Sequence, residues 1–239
     1  MKLDLMVMTV HPDDAELGAG GTIAKYVAAG KKVGIIDLTR GELGTRGTPE
    51  IRIQEATKAA SILGVEIREN LDLRDGFFAN DEESQRCIMR VVRKYQPEIV
   101  ITNALEDRHP DHGRASKLVN DALFLSGLRR IETIYEGQAQ EAFRPRLQLQ
   151  VIQDKYIQPN ILIDITDFWA KKEQSILAYT TQFNVSGDDD EPQTYISNPD
   201  FMESTRGRAA ELGRNIQAKY AEGFTARKLL GVHDIFQLI

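Results

Sequence analysis

Short apolar runs alternate with amphipathic segments through the first half of this chain, and that alternation restricts the fold more than any other feature. Residues 3–10 and 33–38 are nearly continuous apolar stretches, the pattern of strands covered on both faces. Residues 65–71 and 98–102 read as two more strands. Between them, residues 15–28, 50–63 and 81–95 carry helical spacing, with Ile53, Ala56, Ala60 and Leu63 falling on one face of the second. Residues 112–125 continue the series as a helix. Strands joined through helices pair in parallel by right-handed crossovers. The expected fold class is therefore α/β, a Rossmann-like, mostly parallel sheet flanked by helices. The second half is less regular. It reads as strands over 147–152 and 161–165 and helices over 168–179 and 200–220. Residues 184–199 read as a loop carrying the acidic run Asp188, Asp189, Asp190 and Glu191. No repeat or linker composition divides the chain, so one domain is expected over residues 1–239.

Composition removes several function classes. At 239 residues, with 41% hydrophobic and 28% charged, the chain is neither disordered nor fibrous. A formal net charge of −6 gives no basic surplus for nucleic acid or an anionic membrane. Cys87 is the single cysteine and closes no internal disulfide; it reads as a packed thiol. The opening apolar run is interrupted by Asp4 and is too short for a signal peptide or a span, so a cytoplasmic location is expected.

Three of the four histidines fall in two short motifs, His11-Pro12-Asp13-Asp14 and His109-Pro110-Asp111-His112, each following a strand. In open parallel sheets, ligands bind beyond the carboxyl ends of strands, near the switch in strand order. The two motifs are expected to meet there. His11, Asp14 and His112 offer two imidazoles and one carboxylate, the ligand set of a catalytic zinc site rather than a closed structural one. The same donors suit Fe2+. Asp13, next to a ligand, fits a general base acting on water; the plainer reading makes it the N-cap of the following helix. His109 lies one helical turn from His112. Protonated, it would stabilise an oxyanion or give its proton to a leaving amine. Asp111 either orients His109 or caps the helix. His233, isolated from these motifs, reads as a surface or packing residue.

Gly18, Gly20 and Gly21 do not meet the G-x-G-x-x-G spacing, which disfavours a dinucleotide site. Arg46, in the glycine-rich stretch 41–49, and Arg52 are placed to grip an anion, because a guanidinium pairs a carboxylate bidentately. The plainer reading pairs Arg52 with Glu55 on a helix surface. Glu16 reads as support for the first helix.

The segments His11-Pro-Asp-Asp-Ala-Glu-Leu-Gly18 with Gly20-Gly21, Gly41-Glu-Leu-Gly-Thr-Arg-Gly47, Arg52, and Arg108-His-Pro-Asp-His112 resemble the LmbE/PIG-L family of zinc-dependent N-acetylglucosamine deacetylases. Within that family the chain is most similar to the subgroup acting on N-acetylglucosaminyl-malate in bacillithiol biosynthesis. The similarity extends to Asp75-Gly-Phe-Phe78, Asp164-Ile-Thr-Asp167 and Tyr220-Ala-Glu-Gly-Phe224. The resemblance implies zinc on His11, Asp14 and His112, Asp13 as base, and His109 as acid or oxyanion partner. It points to Arg52 first and Arg108 second for the malyl carboxylates. It further implies a tyrosine near the oxyanion, for which Tyr195 is the candidate, and homo-oligomers, specifically hexamers. The expected reaction releases acetate and glucosaminyl-malate from the acetamido sugar. The alternatives are a deacetylase or amidase on another N-acetylated glycoside or thiol conjugate and, more remotely, a non-catalytic nucleotide- or sugar-binding module.

Overall fold

A computed structural model describes residues 1–183 and 192–238. In chain order the elements are β1 (Leu5–Thr9), α1 (Asp14–Ala28), β2 (Val33–Asp37), α2 (Pro49–Leu63), β3 (Ile67–Asn70), α3 (Glu82–Tyr95), β4 (Ile99–Thr102) and α4 (Pro110–Ser126). There follow β5 (Ile134–Tyr135), β6 (Gln138–Ala139), β7 (Leu147–Val151), β8 (Ile161–Asp164), α5 (Trp169–Leu177), α6 (Thr180–Phe183), α7 (Asp200–Arg214) and β9 (Ala221–Ala226).

Seven strands form one sheet in the order β3-β2-β1-β4-β7-β9-β8. The first five run parallel, while β9 is antiparallel to both β7 and β8. The expectation of a mostly parallel sheet flanked by helices holds. All five residues of β1 and of β2 are buried, because helices cover both faces. One face packs Met6, Met8 and Ile36 against α3 and α4 through Ile88, Met89, Leu118 and Val119. The other packs Val7 and Ile35 against Ala19 and Ile23 of α1 and Leu63 of α2. Strand order reverses between β1 and β4, so the loops leaving these two strands open side by side.

Local chemistry sets the helix ends. Thr48 caps α2 by accepting from Ile51 N–H, with Pro49 in the first turn, and Gly64 ends the helix at φ 79°. The helix expected over 200–220 stops at Arg214. Gly213 lies so close to the returning chain that a Cβ there would sit 2.6 Å from the Ala218 carbonyl oxygen. The chain turns back at that point into β9, a strand the sequence pattern did not reveal. A short hairpin, β5–β6, turns through Glu136 and Gly137, both at positive φ. The acidic run expected in the 184–199 loop lies outside the described residues.

The glycines of α1 serve packing. A Cβ on Gly18 would sit 2.9 Å from Val151, and one on Gly21 would sit 2.6 Å from Ile165. The N–H groups of Gly21 and Thr22 donate to the carboxylate of Glu222 on β9, at 2.9 and 2.8 Å. Lys172 Nζ bridges Glu222 Oε1 at 2.6 Å and the Leu17 carbonyl at 2.7 Å. The anion read by these backbone donors is the protein's own side chain. No helix among the described residues is long and apolar enough to cross a membrane.

Candidate metal centre

The loop after β1 delivers His11, Asp13 and Asp14. The loop after β4 delivers His109, which caps α4, and His112 in that helix's first turn. The three imidazoles cluster tightly, with ring centroids 4.9 Å apart for His11 and His109, 5.8 Å for His11 and His112, and 5.2 Å for His109 and His112. His11 Nδ1 lies 3.5 Å from Asp14 Oδ2, and His112 Nε2 lies 3.2 Å from Asp14 Oδ1. One donor atom from each of His11, Asp14 and His112 falls within 4.8 Å of the other two, a possible metal site.

The far sides of both imidazoles are held by carboxylates. His11 Nε2 is 2.9 Å from Asp75 Oδ1, and His112 Nδ1 is 2.5 Å from Asp107 Oδ2. Imidazoles that bind metal commonly give their second ring N–H to a carboxylate in this way, which fixes tautomer and orientation. Asp14 is oriented by His11 N–H at 3.0 Å, Asn103 Nδ2 at 3.1 Å and Gln153 Nε2 at 2.8 Å. This donor set, oriented from behind, fits a borderline divalent ion such as zinc. A second cluster of His11, His109 and Asp111 fits less well. The Asp111 carboxylate already accepts from Gly76 N–H at 2.9 Å and from Arg114 Nη1 at 2.6 Å.

Burial and charge act in opposition on these groups. Burial lowers the His11 and His112 pKa values, but Asp14 with Asp75 raises the first to about 10, and Asp14 with Asp107 raises the second to about 9. Burial raises Asp14, yet His112 and His11 hold it well below the usual carboxylate range. His109 is lowered by burial and by the two neighbouring imidazoles.

Asp13 is the unusual residue of the loop. It occupies the N-cap position of α1, but its side chain makes no capping hydrogen bond, and its φ is 128°. A side chain at that φ is strained, and such strain concentrates at functional sites. The carboxylate is buried and paired with Arg52 Nη2 at 3.0 Å. Burial pushes its pKa up to about 7 against the pull of Arg52. The capping explanation for Asp13 is set aside by this geometry.

The other predicted contacts land differently. Arg52 does not pair with Glu55, whose carboxylate takes Thr180 Oγ1 and Thr181 N–H and Oγ1. Arg46 is buried and turned inward, donating from Nε to the Thr181 carbonyl at 2.8 Å and from Nη1 to the Pro192 carbonyl at 3.2 Å. Arg108 is exposed, bonds Asp154 at 2.7 Å and lies 4.4 Å above the Tyr195 ring. Tyr195 packs edge-on against Phe201 at 5.6 Å. The Asp111 backbone N–H, not its carboxylate, orients His109, donating to Nδ1 at 3.3 Å. Nδ1 as acceptor leaves Nε2 to carry the proton of a neutral ring. Glu16 binds Arg68 at 2.6 Å beside Asp37, a buried brace under α1. Cys87 is half-buried rather than in the core, and burial pushes its thiol pKa up, away from nucleophilic character.

Residues 6–123 match the family described as PIG-L, GlcNAc-PI de-N-acetylase. Diacetylchitobiose deacetylase of Thermococcus kodakarensis is 30% identical over 184 residues, 72% of this chain and 67% of that protein. The chain belongs to the PIG-L family. The matched span holds both histidine motifs of this PIG-L chain. The 4-oxalmesaconate hydratase of Pseudomonas putida is 28% identical over 234 residues, 91% of this chain and 86% of that protein. A crystal structure of a conserved protein from Thermus thermophilus superposes with TM-score 0.86 at 35% identity, covering 97% of this chain and 98% of that one. Relatives of this PIG-L chain thus carry names from two reaction classes.

Proposed function

We propose that this PIG-L chain is a zinc-dependent N-deacetylase of an N-acetylglucosamine conjugate, with N-acetylglucosaminyl-malate as substrate. The observation that carries the proposal is a buried, strained carboxylate with no capping role, Asp13, beside a His-Asp-His cluster whose imidazoles are held from behind by Asp75 and Asp107. A divalent ion on His11, Asp14 and His112 would supply Lewis acidity toward a carbonyl oxygen and toward water.

The protein's own groups do the rest. Asp13, with a pKa near 7, takes a proton from the attacking water and returns it to the departing nitrogen, so that one water and one amide become acetic acid and a primary amine. His109 donates Nε2–H to the developing oxyanion as a neutral ring, since its lowered pKa departs from the protonated form expected from sequence. Arg52 fixes the Asp13 carboxylate instead of reaching for substrate. Of the three predicted arginines, Arg108 is the exposed one and the anion reader for a carboxylate-bearing aglycone.

The test is release of primary amine from N-acetylglucosaminyl-malate, free N-acetylglucosamine and diacetylchitobiose, with and without a chelator. Chelator-sensitive release, fastest from the malate conjugate, supports the reading; release from diacetylchitobiose alone removes the malate assignment. The Pseudomonas putida relative, matching over 91% of this chain, favours a second reading, addition of water to an unsaturated polycarboxylate. Amide inertness together with hydration of 4-oxalmesaconate would establish that reading in place of the first.

A further inference from the structure

Beside the metal centre lies a cavity of about 60 Å³ that the chemistry above does not use. One wall is formed by Asp107, Gln153 and Asp154, the other by Phe201, Thr205 and Arg208. The first wall ties the cavity to the site, because Asp107 bonds His112 and Gln153 bonds Asp14. The second is one face of α7, its residues falling at i, i+4 and i+7. A single water needs only about 10–15 Å³, so the space admits a larger group.

Arg208 is the unsatisfied member of this wall. It is half-buried. Among the described residues its guanidinium makes one hydrogen bond, from Nη2 to the Asp154 carbonyl at 3.0 Å, and no ion pair. A guanidinium carries five N–H donors in a fork that matches a carboxylate. Arg208 therefore brings a positive charge without a counter-ion, and spare donors, to the edge of the metal centre.

Arg108 meets the same residue from its other end. Its Nε donates to Asp154 Oδ2 at 2.7 Å, while Arg208 holds the main-chain oxygen. Those two oxygens of Asp154 sit at opposite ends of a four-carbon frame, Cγ–Cβ–Cα–C. Malate is built on the same frame, with a carboxylate at each end. The two arginines are thus spaced as a pair for a four-carbon dicarboxylate, and an aspartate of the protein displays the span. Both cations also act on the Tyr195 hydroxyl, whose pKa is raised by burial and by the Asp154 carboxylate and pulled back by Arg108 and Arg208.

We infer that Arg208 is a second anion-reading residue, taking one carboxylate of the malyl group while Arg108 takes the other. The arriving substrate displaces the Asp154 carboxylate from Arg108 and fills the open donors of Arg208, whose Nη2 keeps the Asp154 carbonyl. The inference rests on the malate reading above and sharpens it, since an aglycone with one carboxylate or none engages fewer of the two arginines.

The test titrates the zinc-loaded full chain calorimetrically with L-malate and with L-lactate, which lacks the second carboxylate. Amine release from N-acetylglucosaminyl-malate and from free N-acetylglucosamine is then measured on the same proteins. In Arg208→Gln, affinity for L-malate should fall by about tenfold or more, and for L-lactate by less than about threefold. KM for the conjugate should rise by about tenfold with kcat within about threefold, so the preference over the free sugar drops. Arg208→Lys, which keeps the charge without the fork, should recover part of the loss. An Arg208→Gln chain with wild-type L-malate affinity, as metal-held malate would give, overturns the inference, as do equal losses on malate and lactate. If the wild-type chain releases no amine from the conjugate while Arg208→Gln still loses L-malate, the deacetylase reading falls and the arginine pair stands.

Discussion

Arg52 Nη2 sits 3.0 Å from Asp13 Oδ2, so the arginine that the sequence offers to substrate is spent on the residue beside the His11–Asp14–His112 cluster. Its Nε donates to the Pro12 carbonyl at 3.3 Å, which ties α2 to the same loop. The pair is buried on both sides, and removing one partner strands the other charge. Arg52→Met should lower stability by roughly 3 kcal/mol. Adding Asp13→Asn should restore part of that loss, as read from denaturant midpoints. With Asp13→Asn measured alone as well, effects of the two substitutions that simply add in the double variant would show that the pair is not coupled.

The backbone at Asp13 gives a cleaner comparison. Asp13→Gly and Asp13→Ala both discard the carboxylate, but alanine keeps a Cβ at φ 128°. The glycine variant should be the more stable of the two by about 1 kcal/mol or more, because glycine alone accepts that region freely. Both should lose about two to four orders of magnitude in turnover while retaining metal. A metal assay beside thermal melting checks the two claims separately.

Asp75 and Asp107 hold the imidazoles of His11 and His112 from outside the His-Asp-His cluster. Asp75→Asn and Asp107→Asn should each weaken zinc affinity by about 10–100-fold. Competition with a chromogenic chelator measures this without reference to turnover. Unchanged affinity in both variants would remove their positioning role.

Metal uptake should also be a proton-release event. With the metal chelated away, His11 near 10 and His112 near 9 both hold protons at pH 7, and a ligand nitrogen must shed its proton. Apparent zinc affinity should therefore rise with pH between 6 and 8. Calorimetry in buffers of different ionisation enthalpy counts the protons released. The chelated protein itself should lose stability in the opposite sense. Its raised histidine pKa values contribute fully below about 6.5, the unfolded value, and that contribution fades as pH climbs through 9 to 10.

The histidine motifs were legible because each follows a buried strand and carries several site residues within four positions. The roles of Asp75, Asp107, Asn103 and Gln153 were not: Asp75 fell in the matched segment Asp75-Gly-Phe-Phe78 with no role attached, and the other three stand alone in loops with no spacing to read. One signal was available: all four follow the carboxyl ends of parallel strands, β3, β4 and β7, where such sheets bind ligands. Arg52 resembled a helix-surface pair because Glu55 lies three positions away, whereas its partner sits 39 residues earlier in a loop. Strand β9 escaped notice because Ala-Glu-Gly-Phe-Thr-Ala has neither an apolar run nor clean alternation. Only its pairing between β7 and β8 makes it a strand.

That pairing has a consequence for how the molecule assembles itself during synthesis. In the sheet β8 has one neighbour, β9, although β9 is made some 60 residues later. The five parallel strands can collect as they emerge from the ribosome, but β8 waits with unpaired edges until the last strand arrives and slots in. Glu222 then reaches Gly21 and Thr22 across 200 positions of chain. The helix beginning at Asp14 thus acquires its internal brace only once β9 has been made, and the nascent chain carries an open, adhesive margin until then.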